Sequence, residues 1–384
     1  MPQDQTATCD VAVIGGGVIG LAIAWRAAQS GHSVRLYERG ELGGGASHVA
    51  AGMIAPVTEA DPGELALLEL GSSSARMWPA FAAELAETSG SEPGLLRCGA
   101  LVVARDDDEA RALERELALR VDLGLEVQRL LPSAARRREP ALAPSIRLAL
   151  AAPSDAVVNP RAMVIALAEA SRRAEVVLCT QATVQRITCE RAKITGLQLA
   201  GGERVLARRI VVAAGAWTGA LGGLPGTVRL PVRPVKGQIM RLRDPAGPGL
   251  LERIVRFEGG YLVPRGDGRY VLGATMEERG FDTTVTAGGL YELLRDAGEL
   301  VPGIHELVVE EIAAGLRPAM PDNAPVLGRA AEVEGLVWAT GHHRNGILLA
   351  PVTAEIVAAA LEGAGVPAAF AAQRFARPRA EAVA

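Results

Sequence analysis

Asp10 to Glu38, DVAVIGGGVIGLAIAWRAAQSGHSVRLYE, sets limits on everything that follows it. The apolar run Val11 to Ile14 reads as a strand buried on both faces of a parallel sheet. It ends in Gly15-Gly16-Gly17-Val18-Ile19-Gly20, which matches G-x-G-x-x-G through Gly15, Gly17 and Gly20. A helical pattern follows through Leu21, Ile23, Ala24, Ala27 and Ala28 and stops near Ser30-Gly31. Val34 to Tyr37 make a second strand, closed by Glu38. In such a unit the first glycine allows the tight turn, the second lets backbone approach a pyrophosphate, and the third lets helix pack on strand. The helix N-terminus offers N–H groups and partial positive charge to the phosphates. Glu38 stands where a carboxylate can accept hydrogen bonds from both adenosine ribose hydroxyls, which disfavours NADP and leaves FAD and NAD open.

A chain of 384 residues has room for two domains with cores of their own. Apolar content of 49% and charged content of 22% suit a globular enzyme rather than a disordered or fibrous chain. The net charge of −4, with no basic block, points to neither nucleic acid nor an anionic membrane as partner. Cys9, Cys98, Cys179 and Cys189 show no metal spacing, so no metal site is expected, and their scatter suits a reducing compartment. MPQDQTATCD lacks a signal-peptide pattern, and Val11 to Trp25 is too short and glycine-rich to span a bilayer. The expected location is the cytoplasm.

Gly43 to Pro56, GGGASHVAAGMIAP, has little side chain to pack. It is either a flexible linker or backbone lying directly against a bulky ligand, and its place after a dinucleotide strand favours the second. His48 within it suits a hydrogen-bonding role. Glu64 to Leu85 has helical periodicity with a break expected near Trp78-Pro79. Leu101 to Ala104 reads as a strand, Glu109 to Leu123 as an amphipathic helix, and Arg136-Arg137-Arg138-Glu139 as a solvated face. Asp155 to Pro160 turns into a helix from Arg161 to Arg173. Four short strands between Val176 and Ala207 suggest a meander. Arg209 to Trp217 is a second buried strand ending in small residues, the kind of end that faces a ligand crevice. Leu230 to Leu242 and Glu258 to Met276 suggest an antiparallel sheet. Thr286 to Leu300 is helical, Leu336 to Ala339 a strand, and a helix runs from about Ile347 to Glu362.

Three positions beside glycines in apolar surroundings could carry chemistry: Arg317, Arg344 and Tyr261. A planar guanidinium can hold a carboxylate by two parallel hydrogen bonds, and a phenol can donate a third. Each arginine has an ordinary alternative as an inter-domain ion pair; Tyr261 and Met276 could simply be core packing. If a helix starting at Gly346 points its N-terminus at an isoalloxazine ring, its partial positive charge stabilises the negative charge of the reduced flavin. His342 and His343 could be bases, though a histidine in such a loop more often only hydrogen-bonds its surroundings.

At these residues the chain resembles the D-amino-acid-oxidase-like FAD-dependent amine oxidases, from the first β-α-β unit to the last helix. The segments that carry the resemblance are GGGASHVAAGMIAP, VVAAGAWTG, PVKGQIMRL, YLVPRGDGRYVLGATMEERGFD, GLRPAMPDNAPVLG and GHHRNGILLAPVTAEIV. It implies an α/β flavoprotein of two discontinuous domains. A Rossmann-like FAD-binding domain would comprise 1–80, 154–224 and 312–384, and a substrate domain with a mixed antiparallel sheet 81–153 and 225–311. It implies noncovalent FAD held by Gly15, Gly17, Val18, Ile19, Gly20, Glu38 and Arg39, by Ala46, Ser47, Ala51, Gly52 and Met53, and by Ala214, Gly215 and Trp217. Val184 would touch the adenosine end, and Arg344, Asn345, Gly346, Ile347 and Leu348 would line the flavin.

The same resemblance implies a substrate carboxylate on Arg317 with help from Tyr261, and Arg344 and Met276 lining the substrate cavity. It implies oxidation of glycine, sarcosine or small D-amino acids by dioxygen, an imine feeding the thiazole of thiamine, and a homotetramer. A dehydrogenase or sarcosine-type oxidase with another acceptor is the alternative. A flavin-binding assembly or tRNA-modification component would be a different class altogether. His343, where relatives often carry Tyr or Phe, and Gly259-Gly260 depart from the pattern and would widen the pocket.

Overall fold

The computed structural model describes residues 7–375. Val11–Ile14, the apolar run after Gly15's approach strand begins, is buried throughout and lies in the middle of an eight-stranded sheet. Along the main path the order is Val326–Arg329, Leu336–Thr340, Arg204–Val212, Ala7–Ile14, Val34–Tyr37 and Val177–Cys179. All neighbours on this path pair in parallel except the first two. Val184–Glu190 and Lys193–Leu199 add an antiparallel meander to Arg204–Val212. The helices Val18–Gln29, Leu65–Ser89, Pro160–Arg173 and Ala350–Leu361 bury their apolar stripes on one face. The meander and the loop residues Val228 and Leu230 close the other. Three strands therefore end side by side in small residues: Gly15, Ala213-Ala214-Gly215 and Gly341.

A second eight-stranded sheet runs Val308–Ala319, Arg233–Arg243, Arg269–Gly273, Gly260–Pro264, Ile254–Phe257, Ala100–Ala104, Leu148–Ala152 and Gln128–Leu130. It is antiparallel except where Ile254–Phe257 meets Ala100–Ala104. The helix Ala287–Leu300, capped by the Thr286 hydroxyl, packs on it. This is the expected two-sheet α/β architecture. The expected boundaries at 80/81 and 311/312 lie inside the helix Leu65–Ser89 and the strand Val308–Ala319.

Three local expectations need correction. The helix Leu65–Ser89 runs unbroken through Pro79. Losing one hydrogen bond at an internal proline costs about 3 kcal/mol, but burying Trp78, Phe81 and Leu85 returns about 1.5–3 kcal/mol each. Phe81 meets both Trp25 and Trp78 edge-on, with ring centroids 5.7 and 5.6 Å apart. The last helix begins at Ala350 rather than at Gly346. Pro351 has no N–H to reach back a full turn, so it fits only a first turn. Arg136, Arg137 and Arg138 are exposed, but Glu139 is buried. Its carboxylate accepts from the Arg253 and Glu252 N–H groups at 2.8 and 3.2 Å and pairs with the Arg253 guanidinium at 3.1 Å.

Candidate active site

Gly15 leaves its strand at φ +111°, and a Cβ there would lie 2.3 Å from the Ala213 carbonyl oxygen, so only glycine fits. Gly17 caps the helix Val18–Gln29 from an extended conformation. The Val18 N–H donates to Ser47 Oγ at 3.1 Å, which ties the short helix Ala46–Val49 to this turn. The Glu38 carboxylate accepts from the N–H groups of Gly16 at 2.7 Å and Gly40 at 3.0 Å. A carboxylate has about four acceptor sites, so this one is held rigidly with capacity left for ribose hydroxyls. The Arg39 guanidinium stacks 3.6 Å above the Trp217 ring.

From this turn a crevice of about 1470 Å³ runs between the two sheets. Val184 lines one end; Gly15, Gly17, Val18, Ile19, Glu38 and Arg39 follow. Ala46, Ser47, Ala51, Gly52, Met53, Ala214, Gly215 and Trp217 line its middle, and Arg344, Gly346 and Ile347 lie beyond. The run of small residues is no linker. Gly52 sits at φ +84° with room for no Cβ, since one would stand 2.0 Å from the Val158 carbonyl oxygen. Arg265 donates to the Ala51 and Val158 carbonyls at 2.7 and 3.0 Å, and Arg241 donates to the His48 carbonyl at 2.7 Å. The His48 ring pairs with Arg161 at 2.7 Å. An elongated slot walled by main chain, with a glycine turn, a helix N-terminus and a fixed carboxylate at one end, fits an extended dinucleotide.

The other end holds Arg317, on the strand Val308–Ala319, and Tyr261, on Gly260–Pro264. Arg317 Nη1 donates to the carbonyls of Thr275 at 3.1 Å and Lys236 at 3.4 Å. Among the described residues no carboxylate lies within salt-bridge distance of it, so its charge stays available to a ligand. Gly237 and Gly273 make the space: a Cβ on Gly237 would lie 2.5 Å from Arg317 Nη1, and one on Gly273 2.8 Å from the Tyr261 ring. Burial pushes the Tyr261 phenol up, against the opposing pull of the Arg317 guanidinium, so at neutral pH the hydroxyl keeps its proton and can donate. Met276 stands 68% exposed at the crevice edge, not in a core.

Arg344 differs from Arg317. Its Nη2 lies 2.6 Å from Glu64 Oε2 and its Nε 3.6 Å from Glu59 Oε2, so it is an ion-pair residue, though both partners fall within the same expected domain rather than across two. It borders the crevice, but its charge is already matched. Three further expected contacts lie off the crevice. Gly20 serves packing, since a Cβ would meet the Gly15 carbonyl oxygen at 1.9 Å. The Leu348 carbonyl is taken by Ser74 Oγ at 2.6 Å and Trp78 Nε1 at 3.0 Å. Asn345 is buried, with its main chain bonded to His342 and Leu349. The sequence reading missed Gly237 as the cradle of Arg317 and Glu59 and Glu64 as partners of Arg344. A glycine inside a strand of large residues was the available signal for the first.

A parallel sheet with its glycine turn at a long crevice, facing an antiparallel sheet that carries a ligand-ready guanidinium, defines a dinucleotide-dependent oxidoreductase. The chain belongs to the FAD-dependent oxidoreductase family, whose model matches residues 10–360, and its cofactor is FAD. It is 37% identical to a glycine oxidase of Geobacillus kaustophilus over 92% of this chain and 93% of that protein. The crystal structure of glycine oxidase from that organism superimposes with a TM-score of 0.88 at 36% identity, covering 96% of this chain and 99% of that one. Iminodiacetate oxidase from Chelativorans sp. BNC1 superimposes at 0.85 with 29% identity, over 94% and 98% of the two chains. The bifunctional protein ThiO/ThiG of Trichormus variabilis is 35% identical over 91% of this chain, which spans 52% of that protein.

Proposed function

We propose that this enzyme oxidises glycine, and also sarcosine and small D-amino acids, to the imine, which water converts to glyoxylate and ammonia when the substrate is glycine. The observation that carries the reading is the Arg317 guanidinium, turned to the crevice beside Tyr261 with no carboxylate partner among the described residues. FAD, when bound, supplies the two-electron acceptor for the Cα hydride and passes the electrons to dioxygen as hydrogen peroxide. Arg317 binds the substrate carboxylate; its Nη1 donates to two carbonyls, which anchors the guanidinium at the crevice wall. Tyr261 donates a further hydrogen bond and limits rotation of the carboxylate. Orientation of the Cα–H bond toward the slot is the chief contribution of these side chains. Arg344 holds the crevice wall through Glu64 and Glu59, and Met276 closes the rim.

The nucleotide contacts are Gly15, Gly17, Val18, Ile19, Glu38, Arg39, Ser47 and the backbone from Ala51 to Met53. The FAD-binding part is built on the parallel sheet with the whole helix Leu65–Ser89, and the substrate part on the second sheet with the whole strand Val308–Ala319 that carries Arg317. The expected boundaries at 80/81 and 311/312 therefore move to the ends of those elements. The expected ends 1–6 and 376–384 lie outside the described residues. The likeness to ThiO/ThiG supports an imine product that feeds thiazole formation for thiamine. A cytoplasmic homotetramer with no nucleic-acid or membrane partner completes the reading; no helix among the described residues is long and apolar enough to cross a membrane.

Anaerobic addition of glycine, sarcosine, D-alanine and D-proline to the yellow holoenzyme tests it. Bleaching by glycine, and peroxide on admitting air, is the expected result. A flavin that none of them reduces would overturn the proposal, and bleaching without peroxide would move it to a dehydrogenase with another acceptor.

A further inference from the structure

One polar side chain in the crevice wall has no partner of its own. His343 opens the turn His343–Asn345, with its backbone in the left-handed region at φ +46°, a conformation that costs any residue with a Cβ. His343 is 9% exposed, and among the described residues neither Nδ1 nor Nε2 meets a hydrogen-bonding partner. Buried polar atoms are nearly always paired, and a neutral imidazole has one donor and one acceptor to satisfy. Its neighbour His342 follows that rule, with Nε2 3.0 Å from Thr353 Oγ1. His343 instead lines the end of the crevice that holds Arg317.

The charges around it decide what it can bind. Burial, reinforced by the guanidinium groups of Arg317, Arg344 and Arg233, pushes the imidazole down to about 3, so it remains neutral and is a poor acceptor of an ammonium proton. That leaves hydrogen bonding. Arg344 is matched by Glu64, and Arg233 by Glu278 at 2.8 Å. Once a substrate carboxylate sits on Arg317, every cation near His343 has its anion. A second carboxylate would then be a buried charge without a partner, whereas an uncharged hydroxyl would pair with one of the two orphaned nitrogens at no charge cost.

We propose that His343 is a specificity-determining residue that hydrogen-bonds an uncharged polar group on the substrate's substituent. The site then favours small amino acids bearing a hydroxyl over those of equal size that are apolar. This rests on the amine-oxidising reading above.

D-serine and D-alanine differ by that hydroxyl alone, so the test is the ratio of their kcat/KM values in the wild type, His343→Phe and His343→Gln holoenzymes, with glycine beside them. The wild type should prefer D-serine by roughly tenfold, expressed in KM rather than kcat. His343→Phe should bring the ratio to about 1, and His343→Gln, which keeps a donor and an acceptor, should recover part of it. A wild-type ratio near unity, or one that His343→Phe leaves in place, overturns the inference. So does a His343→Phe variant that binds FAD more weakly and loses D-serine, D-alanine and glycine turnover equally, because the imidazole would then serve the cofactor. Should glycine itself fail to reduce the wild-type flavin, the reading of the whole site falls, and this inference with it.

Discussion

Gly237 and Arg317 are diagonal neighbours on paired strands, and the space a Cβ would take on Gly237 is filled by the Arg317 guanidinium. The strand register puts Gly237 opposite Gly315 and Arg317 opposite Val235. The glycine thus selects where the end of a flexible side chain rests, without being needed for the sheet itself.

Gly237→Ala follows from that arrangement. The guanidinium can swing away, so the fold should lose no more than about 1 kcal/mol. The displaced charge should raise KM for glycine roughly tenfold or more, since a misplaced positioning group weakens binding and orientation together. Urea unfolding beside steady-state kinetics separates the two effects. A variant with wild-type KM would show that Arg317 does not need this cradle.

Arg317 and Arg344 should respond in opposite ways to truncation. Arg317→Ala removes a cation with no carboxylate partner among the described residues, so stability and FAD content should hold while KM rises roughly 30-fold to several-thousand-fold, or ~2–5 kcal/mol. Arg344→Ala leaves Glu64, whose side chain is only 12% exposed, with Asn323 Nδ2 as its remaining partner at 2.8 Å, and should cost about 2 kcal/mol of stability. Thermal unfolding and KM measured on both variants check the contrast; normal glycine affinity in Arg317→Ala would remove the role assigned to it.

Glu38 is bound at both oxygens to backbone N–H groups before any ribose arrives. Glu38→Ala takes away that preset acceptor and leaves the Gly16 and Gly40 N–H groups without it. Hydrogen bonds to a charged group are worth about 1.5–3 kcal/mol, so the FAD dissociation constant should rise roughly ten- to hundredfold. Titration of apoprotein by flavin fluorescence reads this directly, and an unchanged constant would place the ribose elsewhere.

His342 makes stability depend on pH. Burial alone lowers its folded value from 6.5 to about 3. Between those limits the unfolded chain takes up a proton that the folded chain refuses. Its contribution is therefore complete above 6.5 and is lost progressively as pH falls toward 3. At pH 5 the loss is roughly 2 kcal/mol. Asp155, raised by burial from 3.8 to about 6, works in the other direction: its contribution is present below 3.8 and disappears as pH rises through 6. Urea titrations at several pH values on wild type and His342→Gln isolate the first term, and equal slopes for the two proteins would contradict it.

The nucleotide half of the crevice could be read from the chain alone because its rules are local. Strand, glycine turn, helix, second strand and Glu38 fall within one short stretch, and each residue's job depends on neighbours in sequence. The alternation in Leu230 to Leu242 and Glu258 to Met276 likewise announced an antiparallel sheet. Local rules failed where distant packing outweighed them: Pro79 stays inside its helix because Trp78 and Phe81 are anchored by Trp25 and Leu348.

At the other end of the crevice only tertiary structure separates the two arginines. Arg317 and Arg344 both stand beside glycines in apolar segments, and nothing near either one in sequence tells a ligand-ready cation from a matched one. The difference lies 280 residues away, in Glu64, which folding brings to Arg344 and not to Arg317. A charge is available or spent according to which opposite charge shares its low-dielectric surroundings, and that is a property of the folded molecule.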